Sequence, residues 1–120
     1  MNILVVDDSR VMRSIVQRTL RQAGFKGHDI VEAENGKAAL DKISESSPDL
    51  VLSDWNMPEM LGIDLLRSLR EKGNEVPFVF ITSETTEDMH ATALNEGAAA
   101  VITKPFNADK FEATLSGVIQ

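Results

Sequence analysis

The 120-residue sequence predicts a doubly wound α/β sandwich built on a parallel sheet, and three observations carry that prediction. Short β-branched apolar runs alternate with longer amphipathic segments five times. Most of the short runs are continuously apolar, the pattern of strands covered on both faces and not of strands with one wet side. The length suits one domain, residues 1–120, because compact domains most often run to roughly 100–150 residues. Five βα units in series, joined by right-handed crossovers, then place helices on both faces of one sheet.

The elements follow in chain order. Ile3 to Val6 reads as the first strand, and Met12, Ile15, Val16, Thr19 and Leu20 mark a helix with Ser9 as N-cap and Gly24 just past its end. Ile30 to Ala33 is the second strand. Gly36 to Glu45 carries Ala39, Leu40 and Ile43 on one helical face, and Pro48 stops it. Leu50 to Ser53 is the third strand, followed by a helix marked by Leu65, Leu66 and Leu69 before Gly73. Phe78 to Thr82 is the fourth. The next helix spans Thr85 to Glu96, with Met89, Ala93 and Leu94 inward and Gly97 as C-cap. Ala99 to Thr103 is the fifth strand, and Phe111, Leu115, Val118 and Ile119 mark the last helix.

Composition removes several function classes. Hydrophobic residues make up 42% and charged residues 26%, the balance of an ordinary globular protein. The absence of cysteine excludes a disulfide scaffold, a thiolate zinc site and a cysteine nucleophile, and fits a reducing compartment. No apolar run approaches the roughly 20 residues of a membrane span. The short apolar run at the N-terminus ends in Asp7 and Asp8, unlike a signal peptide. A net charge of −7 argues against nucleic-acid binding, which needs clustered Lys and Arg. The charge is uneven: Arg10, Arg13, Arg18 and Arg21 form a basic stripe, read as a solvated helix face and, as a weaker expectation, as a contact for an acidic kinase or phosphatase surface.

In doubly wound folds ligands sit outside the carboxyl ends of the strands. The residues at those ends are Asp7 and Asp8, then Asp54, then Thr82 and Ser83, then Lys104. Three clustered carboxylates repel one another by roughly 4 kcal/mol per pair at about 4 Å and an effective dielectric near 20. One lysine leaves a deficit that a hard divalent cation would neutralise, and Mg2+ suits such a site because it takes one or two carboxylates and keeps positions for phosphate oxygens. Asp54 could then attack phosphorus, with Lys104 and the ion stabilising the transferring group and Thr82 donating to a phosphoryl oxygen.

Four motifs in order, VVDDS at 5–9, SDWNMPEM at 53–60, FITSE at 80–84 and KPF at 104–106, resemble the receiver domains of two-component response regulators, above all the single-domain chemotaxis members. That resemblance spans the chain. It implies the flavodoxin-like three-layer fold with strand order 2-1-3-4-5, a Mg2+ cofactor, a cytoplasmic setting and a histidine kinase as phosphodonor. By position it implies Asp54 as phosphoacceptor, Asp8 and the Asn56 main-chain carbonyl as metal ligands, and Asp7 as a ligand through water. It further implies a cis bond between Lys104 and Pro105, Thr82 as switch hydroxyl, and Asn56 and Glu84 as residues that set the lifetime of the phosphoryl group. The output surface would be the face formed by the fourth helix, fifth strand and fifth helix, meeting a downstream target such as the flagellar motor switch. Read as a whole gene product, the chain would be a stand-alone regulator, monomeric or dimerising once phosphorylated.

Two positions depart from the family pattern. Val101 stands three residues before Lys104, where receivers commonly carry a Tyr or Phe, so a ring-swing readout is absent and the switch must run through Thr82, the following loop and the fourth helix. Leu61 replaces a polar residue and reads as an exposed partner contact. Trp55, the only tryptophan, reads as a partly exposed neighbour of the site; His28 and His90 have no spacing that suggests a metal and read as surface residues. Rival functions are a phosphorylation-independent binding module, kept alive by Val101, and a Mg2+-dependent phosphatase using Asp54. The second is disfavoured because Asn56 stands where such an enzyme needs a second acid. No phosphate-binding glycine motif supports a nucleotide enzyme.

Overall fold

The computed structural model describes residues 1–25, 27–83 and 86–118. Five parallel strands, β1 (Asn2–Val6), β2 (Asp29–Ala33), β3 (Leu50–Ser53), β4 (Phe78–Thr82) and β5 (Ala100–Thr103), form one sheet of order β2-β1-β3-β4-β5. Five helices connect and flank them: α1 (Arg10–Gln22), α2 (Gly36–Ser46), α3 (Gly62–Glu71), α4 (Glu87–Asn95) and α5 (Ala108–Leu115). The doubly wound class and the strand order are both as expected.

Alternation along each strand sorts the core into two layers. Leu4, Val6, Val51, Phe78 and Phe80 face α2, α3 and α4, meeting Ala39, Ile43, Leu66, Leu69 and Ala93. Ile3, Val5, Leu50, Leu52, Val79 and Ile81 point the other way, onto Val16 and Leu20 of α1 and Phe111 and Leu115 of α5. Burial on both faces is what the near-continuous apolar runs require. The two edge strands are the exceptions: β2 exposes Asp29 and Glu32, and β5 fully buries only Ile102.

Helix ends follow local chemistry. Ser9, Asn35, Thr86 and Asn107 each accept a hydrogen bond from the backbone amide three residues on. α1 ends in a left-handed Gly24 at φ 96, with the Phe25 amide bonded back to the Leu20 carbonyl at 2.9 Å. Several expectations need correction here. α4 begins at Glu87 because Thr86 caps it, and Thr85 lies outside the described residues. Leu94 points outward and is 54% exposed, since Ala93 is the α4 position that fits flush against the sheet. Val118 lies beyond the end of α5, in a turn, and Ile119 is outside the described residues. Among the described residues no helix is long and apolar enough to cross a membrane.

Candidate functional site

Parallel register builds the site. Val6 of β1 pairs with Ser53 of β3, so the next residues, Asp7 and Asp54, emerge side by side at the carboxyl edge. The Asp54 amide donates to the Val6 carbonyl at 2.9 Å, carrying the pairing to the rim. The chain leaves β1 for β2 on one side and enters β3 on the other, so this is also the point where strand order reverses and a crevice opens. Asp8 follows on the exposed side. One oxygen from each of Asp7, Asp8 and Asp54 can be chosen so that all lie within 4.8 Å of one another, a cluster that could hold a metal ion.

β5 supplies the counter-charge. Thr103 pairs with Thr82, and the Lys104 amide donates to the Thr82 carbonyl at 2.8 Å. The Lys104 ammonium then stands 3.5 Å from Asp7 Oδ2 and 3.5 Å from Asp54 Oδ2. The Lys104–Pro105 bond is cis, as the resemblance implied. Asp7 is only 4% exposed. Burial pushes its carboxyl above the ordinary 3.8, reinforced by Asp54 and Asp8 and opposed by the Ser9 amide and Lys104. One ammonium against three carboxylates, one of them buried, is a donor set that fits a hard divalent cation.

The remaining predicted residues fall into place unevenly. Thr82 is buried at the end of β4. Asn56 is exposed beside the rim. Glu84 lies outside the described residues. Val101 pairs with Phe80 and packs half-buried against the cluster containing Trp55 and Ala93. Trp55 is buried and not partly exposed, at 8%, because its ring lies 4.8 Å from that of Phe80. Its amide donates to Asp54 Oδ1 at 2.7 Å, so it touches the phosphoacceptor candidate through its backbone. Leu61 is exposed, as predicted. His28 is half-buried and 3.3 Å from the N-terminal amine. His90 departs from a plain surface residue: it is half-buried, with Nε2 shielded and unpaired among the described residues.

Two structural contributors escaped the sequence reading. Gly62 donates its amide to the Trp55 carbonyl at 2.8 Å, and a Cβ there would overlap the Asp54 carbonyl oxygen. Arg13 is not a solvated member of the basic stripe: its side chain is 14% exposed and reaches back over the β1 end. Side chains on a helix lean toward its N-terminus, which is the signal that could have found it.

Residues 3–116 match the response regulator receiver domain family. The chain is 39% identical to the chemotaxis protein CheY1 of Helicobacter pylori over 122 aligned residues, covering 99% of this chain and 97% of the relative. It is 35% identical to the chemotaxis protein CheY of Pseudomonas aeruginosa, covering 100% and 97%. Among solved structures, Vibrio cholerae CheY4 superposes with a TM-score of 0.87 at 32% identity over 98% of both chains. The receiver domain of NarL from Mycobacterium tuberculosis gives 0.86 at 27% identity, over 98% of this chain and 94% of that one. The chain therefore belongs to the response regulator receiver domain family, as a CheY-like receiver and phosphoacceptor switch of two-component signalling.

Proposed function

We propose that residues 1–120 act as one cytoplasmic receiver domain that takes a phosphoryl group from a histidine kinase onto Asp54, in a reaction needing Mg2+. The observation that carries this reading is the Lys104 ammonium at 3.5 Å from both Asp7 and Asp54, inside a three-carboxylate cluster. Asp7, Asp8, Asp54 and the Asn56 main-chain carbonyl would hold the ion. When bound, it supplies positive charge against the transferring phosphoryl oxygens.

The protein's own groups do the rest. Asp54 Oδ1 is engaged by the Trp55 amide, which leaves Oδ2, on the Lys104 side, as the nucleophile. Oδ2 forms a bond to phosphorus as the donor's phosphorus–nitrogen bond breaks, and the imidazole leaves with the electron pair and takes up a proton. Lys104 then follows the charge from the Asp54 carboxylate to the new phosphoryl oxygens. Thr82 donates its hydroxyl to one of them, drawing the end of β4 and the N-terminus of α4 toward the rim. The surface formed by α4, β5 and α5 changes as a result and meets a downstream target, in chemotaxis the flagellar motor switch. Asn56 and Glu84 tune the water attack that returns Asp54 to its carboxylate. The protein is monomeric before phosphorylation and is a monomer or a dimer after it.

Trp55 provides the test, since its ring is buried on Phe80 and its amide touches Asp54. Its emission should change with Mg2+ and change again with acetyl phosphate or beryllofluoride, and Asp54→Asn should abolish the second change. No response to either addition identifies a phosphorylation-independent binding module. Multiple-turnover phosphate release from small phosphoesters identifies a phosphatase.

A further inference from the structure

Arg13 lies four residues after the Ser9 cap, on the first turn and a half of α1. Its Nη1 donates to the Asp7 main-chain carbonyl at 2.7 Å, and its Nε donates to Glu32 Oε1 of β2 at 2.9 Å. We infer that Arg13 is a positioning residue for the acidic rim, fixing the peptide between Asp7 and Asp8 so that both carboxylates face Asp54. The inference rests on the reading that this rim binds Mg2+.

A peptide unit is planar, so holding the Asp7 oxygen also sets the direction of the Asp8 amide and the backbone from which the Asp8 side chain departs. The neighbouring units are held as well: the Asp7 amide donates to the Ala33 carbonyl at 3.1 Å, and the Ser9 amide donates to Asp7 Oδ1 at 2.9 Å. Arg13 supplies the remaining tie. Simple charge neutralisation does not describe this contact, because Nε is matched by Glu32 and the other donor meets a neutral carbonyl. Arginine's rigid planar fork fixes its two acceptors in one geometry, whereas lysine's ammonium is a point charge with rotatable donors. Groups that orient a metal's ligands without touching it commonly change metal affinity about 10- to 100-fold when removed.

The test compares wild type with Arg13→Met, Arg13→Lys and Glu32→Gln. Mg2+ affinity is read from Trp55 emission, Ser9 amide exchange is read in metal-free buffer, and acetyl phosphate kinetics are read at saturating Mg2+. Arg13→Met should weaken Mg2+ at least about tenfold and speed Ser9 exchange about tenfold, with β1 amides unchanged. The maximal phosphorylation rate at saturating Mg2+ should stay within about threefold, placing the defect in binding. Arg13→Lys keeps the charge without the fork and should remain at least about fivefold weak; Glu32→Gln keeps an acceptor and should lose less. Wild-type Mg2+ affinity in a folded Arg13→Met, or full recovery in Arg13→Lys, would overturn the inference. If wild type itself shows no Mg2+ response, the Mg2+ reading fails separately, and unaltered Ser9 exchange in Arg13→Met or Arg13→Lys would then overturn the anchoring role.

Discussion

Asp7 is a carboxyl buried beside two others. It is buried, and burial raises its carboxyl above 3.8 despite the Ser9 amide and Lys104. The folded state therefore holds this proton more firmly than the unfolded chain. The stability linked to the group is fully present below the ordinary carboxylate value and is lost as pH rises through the raised native value. Asp7→Asn, which keeps an oxygen for the Ser9 amide, should stabilise the Mg2+-free protein near neutral pH by on the order of 1 kcal/mol, about 4 °C in Tm. The gain should shrink toward zero near pH 3, and thermal melts at both pH values check it. Asp7, Asp8, Asp54 and Lys104 were legible because residue type and strand-end position suffice to gather them. Arg13 and the burial of Trp55 were not, because they depend on how far a side chain reaches and on which ring it meets.

At the scale of elements, α4 is the least anchored helix, burying only Ala93 fully. Its C-terminal end is tied to α3 by Arg70, which donates to the Gly97 carbonyl at 2.8 Å and the Asn74 carbonyl at 2.9 Å. Arg67 adds a 3.2 Å pair with Glu96. A helix held at its far end and only thinly packed is suited to pivot at the end nearest Thr82. Arg70→Met should cost about 1 kcal/mol, because the Gly97 carbonyl is exposed to water and only the Asn74 carbonyl is partly buried, measured by urea unfolding. It should also speed amide exchange at the α4–β5 turn more than in α3. Gly62→Ala should destabilise by about 1–3 kcal/mol, because its Cβ would meet the Asp54 carbonyl and the Phe80 ring. The short apolar runs located all five strands to within a residue, the central three because burial on both faces makes them continuously apolar and the two edge strands because β-branched residues still mark them. The α4 boundary and the outward Leu94 escaped because adjacent threonines offer equal caps in sequence, and because Ala93 and Leu94 both read as inward until the sheet takes Ala93 alone.

Across the whole molecule, one register decides the chemistry. Pairing Val6 with Ser53 and Thr82 with Thr103 brings Asp7, Asp54 and Lys104 to a common edge from segments far apart in sequence. That convergence followed from the βα alternation once the fold class was known, whereas strand order came from family resemblance, because hydrophobic pattern alone does not order parallel strands. Phosphorylation at that edge must shift the balance toward the active form by about 5.5 kcal/mol to carry a two-state switch from 1:99 to 99:1. With Val101 in place of an aromatic ring, the proposed switch would express that difference through Thr82 and the packing of α4. All of this depends on Asp54 accepting a phosphoryl group with the help of a divalent ion. Intact-protein mass spectrometry after incubation with acetyl phosphate measures this directly. The account predicts a gain of one phosphoryl group that requires Mg2+, vanishes with EDTA and is absent in Asp54→Asn; an unchanged mass in Mg2+, or an equal gain in Asp54→Asn, would contradict it.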